Sequence, residues 1–99
     1  MSFVTTQPEL MAAAAGNLAG IGSTVAARDT AAAASITAVL PAAADQVSVL
    51  TAAQFAAYGH LYQTLSAQAD TILELFTSAL RGAAGSYAMT EDANVALAG

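Results

Sequence analysis

The residues able to do chemistry in this chain are few and scattered. Asp70 and Glu74 stand one helical turn apart, a spacing at which two carboxylates could share a metal ion or divide acid and base roles. His60, the single histidine, lies between Gly59 and Leu61 and has no Glu-x-x-His companion. Cysteine is absent, which excludes disulfides and thiolate metal sites, and one histidine among dispersed carboxylates does not make a structural zinc site. A glycine-rich phosphate loop, a nucleophile elbow and a histidine-based triad are all missing. The expectation is a solvated acidic face at Asp70 and Glu74 and a rim position for His60. No catalytic residue, metal ligand, cofactor or small-molecule substrate is expected.

Charge narrows the partners further. Seven acids face only Arg28 and Arg81, for a net charge of −5, so a nucleic-acid backbone or an anionic lipid surface would be repelled. Arg28 and Asp29, charges amid alanines, suit a solvent-facing or rim position, and Arg81 suits the negative end of a helix. The opening stretch MSFVTTQPELMAAAAG has no basic residue before Arg28, so no general secretory signal is expected. The most apolar run, Ala31 to Ala44, is broken by Ser35, Thr37 and Pro41 and falls short of the roughly 20 residues of a spanning helix. Membrane contact is therefore a secondary expectation.

Two helices must carry everything else. Thr6-Gln7-Pro8-Glu9 has capping-box spacing, with the Thr6 hydroxyl placed to accept from the Glu9 amide, and proline is tolerated in a first turn. Leu10, Ala14, Leu18, Ile21, Val25, Ala32 and Ile36 then recur as a helical stripe, which predicts helix one over about 7–38. Pro41 disfavours helix at Leu40, and Asp45 is a good N-cap for helix two from about 46. The joint at about 39–45 is short, so the helices are expected to run antiparallel. Gly82 and Gly85 predict that helix two ends near Arg81, leaving 86–99 as a flexible tail after a hairpin domain at 1–85.

Each helix has more apolar surface than one neighbour can cover. In helix two, Val47, Leu50, Gln54, Leu61, Leu65, Ile72, Phe76 and Ala79 form one stripe, and Phe55, Tyr58, Tyr62, Ala69, Leu73 and Leu80 widen it. With 57% hydrophobic residues in 99 and no disulfide or metal to staple a thin hairpin, association with another protein is the remaining route to stability. Phe55, Tyr58, Tyr62, Leu73 and Leu80 are the expected partner face, because Leu61, Leu65 and Ile72 can serve the hairpin's own seam. The aromatics could fill that seam instead. Gly16, Gly20 and Gly22 allow a backbone to approach closely, either helix two or a partner.

Pro8-Glu9 near the start, the alanine-rich first helix, the Val39-Leu40-Pro41-Ala42-Ala43-Ala44-Asp45 joint and the late Ser86-Tyr87 segment together resemble the mycobacterial PE family. The likeness covers essentially the whole chain, with Pro8 and Glu9 as the family motif. It implies an all-α antiparallel two-helix hairpin that completes a four-helix bundle with a PPE partner in a 1:1 heterodimer. It also implies export by the type VII secretion machinery, hence a secreted or cell-envelope location, through a tyrosine followed four residues later by an acid. Here those residues are Tyr87 and Glu91, which a helix would place on one face. Relatives often have consecutive prolines at the joint and an acid after the aspartate, where this chain has Pro41-Ala42 and Gln46. Many relatives continue into glycine-rich or enzymatic regions, and the activities of those extensions are not carried over. A self-associating hairpin and a membrane-active helical protein at the cell surface remain the alternatives.

Overall fold

The computed structural model describes residues 6–99. The first five residues, part of the opening stretch read above for a secretory signal and of the expected hairpin domain, lie outside the described residues. The fold is an all-α helical hairpin of α1, Pro8–Thr37, and α2, Gln46–Ala98, with no strand among the described residues.

Local chemistry explains both ends of the joint. Asp45 caps α2: its Oδ1 accepts the Ser48 amide at 2.8 Å, its Oδ2 accepts the Ser48 hydroxyl at 3.0 Å, and its carbonyl accepts the Val49 amide at 3.1 Å. The bond from the Ser48 amide, then that from its hydroxyl, lowers the Asp45 pKa below the ordinary 3.8, because both stabilise the charged form. At the start of α1 the expected capping box is corrected. Gln7, not Thr6, is the cap residue, its carbonyl accepting the Leu10 and Met11 amides at 3.0 and 3.2 Å. Thr6 therefore lies one position too early to serve as N-cap, and its hydroxyl is engaged elsewhere in the fold.

The chain divides into two compact units. In the unit Ser23–Thr71, the least exposed positions of α2 are Ala52, Ala56, Gly59, Gln63, Ser66 and Asp70, in alternating steps of three and four. In α1 of this unit, Ala26, Asp29, Ala33 and Ile36 are half-buried, and contacts join Gly59 to Ile36 and Gln63 to Asp29. A Cβ on Gly59 would run into the Ile36 carbonyl, with the carbonyl carbon at 2.7 Å, so the backbones touch there and only glycine fits. The Gln63 side chain donates to the Asp29 carbonyl at 3.2 Å, which sets an antiparallel register with the Gly59 contact.

In the other unit, which joins the chain up to Gly22 with Ile72–Gly99, the same spacing picks out Leu73, Thr77, Leu80, Ala84, Ala88 and Glu91. In α1 of this unit Met11, Leu18 and Gly22 are half-buried and Ala15 is buried. Ala15 is wholly buried, and Leu73 Cδ2 lies 2.9 Å from where a Gly22 Cβ would be. The buried hydrophobic side chains among the described residues are alanines, Ala15, Ala52 and Ala84, and the buried Thr77 hydroxyl has no hydrogen-bond partner among the described residues.

Three expectations are corrected by this packing. The expected α1 stripe divides, with Leu18, Ala32 and Ile36 half-buried and Leu10, Ala14, Ile21 and Val25 exposed, while Met11, Ala15 and Gly22 join the seam. Leu61, Leu65 and Ile72 do not serve the seam of α2; each is more than half exposed. Helices that approach closely place small residues at the crossing, and the bulkier row turns outward. Helix two does not end near Arg81 but continues through Gly82 and Gly85 to Ala98. Each glycine disfavours helix by about 1 kcal/mol, and the burial of Ala84, with Leu80 and Ala88 half-buried on the same side, offsets that. Arg81 consequently sits far from the end of α2, and its expected role at a helix C-terminus lapses.

Candidate protein-interaction face

The sequence puts large apolar side chains where the hairpin cannot use them. In the unit Ser23–Thr71, Phe55 and Tyr58 are each 60% exposed and form the wall of an open groove of about 280 Å³ with Leu50, Thr51 and Gln54. Leu50, Thr51, Gln54, Phe55 and Tyr58 fall at helical steps of one, three and four, so α2 geometry alone creates this groove. Leu61, Tyr62 and Leu65 continue the exposed apolar surface. The Tyr62 hydroxyl donates to Asp29 Oδ1 at 2.8 Å, so its polar tip is held while its ring stays outside.

In the unit containing Ile72–Gly99, Ile72, Leu75 and Phe76 are exposed, with Ile72 and Leu75 at 66% each. Met89, Val95 and Leu97 are exposed further along α2. Contiguous apolar patches larger than a few hundred Å² are uncommon on the surface of monomeric soluble proteins.

The residues expected on the partner face separate into two groups. Phe55, Tyr58 and Tyr62 are exposed, whereas Leu73 and Leu80 are half-buried and line the hairpin seam. Spacing could not distinguish the two, because both rows repeat every three or four residues. Leu75, absent from the expected stripes, belongs with the exposed group.

Tyr87 and Glu91 lie on α2 one turn apart, not on an irregular tail. Tyr87 is exposed, and Glu91 is half-buried with its Oε1 accepting the Thr6 hydroxyl at 2.8 Å. Pro8 is half-buried in the first turn of α1, and Glu9 is exposed beside it. Asp70 faces the seam, Glu74 and His60 face solvent, and no cluster of three metal-ligating side chains occurs among the described residues.

A sequence model of the PE family matches residues 4–94. The chain belongs to the PE family. Among its relatives in Mycobacterium tuberculosis, the PE family protein PE13 is 53% identical over 98 residues, covering 99% of both chains. The PE-PGRS family protein PE_PGRS8 is 58% identical over 97% of this chain, which spans 55% of that relative. The PE family protein PE8 is 49% identical over 95% of this chain, which spans 34% of that relative. The PE chain described here thus spans all but 1% of one relative and about half or less of the other two.

One property of this PE chain departs from its sequence reading. By length and composition alone, α1 is long and apolar enough to cross a membrane, although only 6% of its most apolar window is buried. That window includes Ala15, the buried residue of α1, and so lies before Ser35 and Thr37, outside the Ala31 to Ala44 run that the sequence reading singled out. The Thr37 hydroxyl donates to the Ala33 carbonyl at 2.6 Å, so its polarity is satisfied inside the helix.

Proposed function

We propose that this chain is the non-enzymatic PE subunit of a 1:1 heterodimer with a PPE protein, exported by type VII secretion to the cell envelope or beyond. The observation that carries the reading is the inversion of its packing. Alanine and glycine hold the hairpin together, while Phe55, Tyr58, Leu61, Leu65, Ile72, Leu75 and Phe76 remain outside it. Two further helices laid on that face would make a four-helix bundle and give the large side chains a core. An obligate interface of this kind buries upward of about 2,000 Å² and is rich in apolar and aromatic groups. The net charge of −5 favours a protein partner over nucleic acid.

Tyr87 and Glu91 are the proposed export signal, an aromatic plate and a carboxylate presented one turn apart by α2. The pair would be read by the secretion machinery after the heterodimer forms.

Size-exclusion chromatography with light scattering, run on the chain alone and on the chain co-expressed with a PPE protein, tests the assembly. A 1:1 complex is expected, with aggregation or weak helicity of the chain alone. A well-folded homo-oligomer that ignores the PPE protein overturns the reading in favour of self-association. Tyr87→Ala and Glu91→Ala are expected to block export of an intact heterodimer, and normal export of both removes the signal.

A second reading, contact of α1 with a lipid bilayer, draws support from the length and composition of that helix. Leakage of dye from liposomes, induced by the purified heterodimer, would favour it.

A further inference from the structure

We infer that Thr6 is a positioning residue for the Glu91 carboxylate, so that the export signal on α2 is completed by the segment that precedes α1. The inference rests on Tyr87 and Glu91 acting as that signal, and it adds a residue 85 positions away in sequence.

Thr6 differs from the helical threonines in what its hydroxyl can reach. Thr30, Thr37, Thr64, Thr71 and Thr90 each donate to the carbonyl four residues earlier, the default for a threonine inside a helix. Thr6 precedes the cap residue Gln7, so no helical carbonyl lies behind it. Its hydroxyl donates instead to Glu91 Oε1 at 2.8 Å, and both residues are half-buried. A hydrogen bond to a carboxylate is stronger than one between neutral groups. Glu91 also lies beside the start of α1, where unpaired amides favour negative charge.

The consequence is conformational. Glutamate has three side-chain torsions, and a free Glu91 would sample several rotamers. Anchoring Oε1 to Thr6 selects one, which sets the direction of Oε2 relative to the Tyr87 ring. A receptor then meets the pair already arranged, and its apparent affinity is not divided by the fraction of chains holding the right rotamer. Removing the hydroxyl returns that loss, about fivefold for a hydrogen bond of ordinary net strength.

The test measures the exported fraction of assembled heterodimer for Thr6→Val, Thr6→Ser and Glu91→Ala, each co-expressed with the PPE protein. Scoring only assembled complex separates presentation from folding. The expected result is a block for Glu91→Ala, a fall of about fivefold for Thr6→Val, and export near the parent level for Thr6→Ser, which keeps the hydroxyl. If Glu91→Ala blocks export but Thr6→Val does not lower it, the inference fails and the signal stands. If Thr6→Ser falls as far as Thr6→Val, the hydroxyl is irrelevant and the inference also fails. Normal export of Glu91→Ala removes the signal and the inference together.

Discussion

Tyr62 on α2 donates its hydroxyl to Asp29 Oδ1 on α1 at 2.8 Å, while about half of the tyrosine remains exposed. The Gln63 side chain reaches the Asp29 carbonyl at 3.2 Å, so one α1 residue receives two successive residues of α2. Asp29 thereby fixes register within its unit. Tyr62→Phe removes one of the two bonds and keeps the apolar ring. Thermal unfolding should show a loss of about 1 kcal/mol or less, with assembly unchanged.

Glycine substitutions should differ in sign according to what lies opposite. At Gly59 a methyl group meets the Ile36 backbone, so Gly59→Ala should destabilise the hairpin by about 2 kcal/mol or more. At Gly22 the neighbour is the mobile end of the Leu73 side chain, and at Gly82 nothing lies within 4 Å among the described residues. Gly82→Ala should raise helicity and stability by up to about 1 kcal/mol, and Gly22→Ala should fall between the two. Circular dichroism melts of the three variants check the order.

The buried Thr77 hydroxyl sits in the seam without a hydrogen bond among the described residues. Valine has nearly the same shape and no polar atom to desolvate. Thr77→Val should therefore stabilise the hairpin, by about 1 kcal/mol. A chemical-denaturation midpoint that falls would show that the hydroxyl contributes favourably.

Asp45 links the start of α2 to pH. Its carboxyl has a lowered pKa in the folded chain, so its stabilising contribution is complete above the ordinary value of 3.8 and disappears as pH falls through the lowered value. Asp45→Ala should reduce amide protection at Ser48 near neutral pH. The difference from the parent should vanish in strong acid, where hydrogen exchange can compare the two.

Phe55 and Tyr58 contribute to an open groove rather than to the seam. Replacing either by alanine should leave the hairpin's own packing intact and weaken the proposed heterodimer by about 2 kcal/mol or more. Calorimetric titration, or the co-purified yield, measures the loss. Leu73→Ala should act differently, lowering the stability of the hairpin itself, because Leu73 packs toward Gly22.

These contrasts show which parts of the molecule were legible in the residues. The Asp45 cap and the break around Pro41 follow from local chemistry, and the structure has them where the sequence places them. Phe55, Tyr58 and Tyr62 could be recognised as surplus apolar surface. The choice of seam could not. Leu61, Leu65 and Ile72 repeat with the same steps of four and seven as Gly59, Gln63 and Asp70, and only the close approach of two backbones decides between the rows. The continuation of α2 past Gly82 and Gly85 was hidden for a related reason. Intrinsic propensity is local, whereas the burial of Ala84 and Ala88 is set by the tertiary fold. Thr6 was misread because its most local acceptable role, capping, competes with a bond to Glu91 far away in the chain.

The division between an alanine and glycine seam and a bulky outer row has an evolutionary consequence. The side chains that determine whether the hairpin closes and those available to discriminate among partners are largely disjoint sets. Phe55, Tyr58 or Leu75 can change size and shape without disturbing Ala15, Ala52, Gly59 or Ala84. One scaffold can therefore diversify its pairing preferences by drift at exposed positions while its folding instructions stay constant.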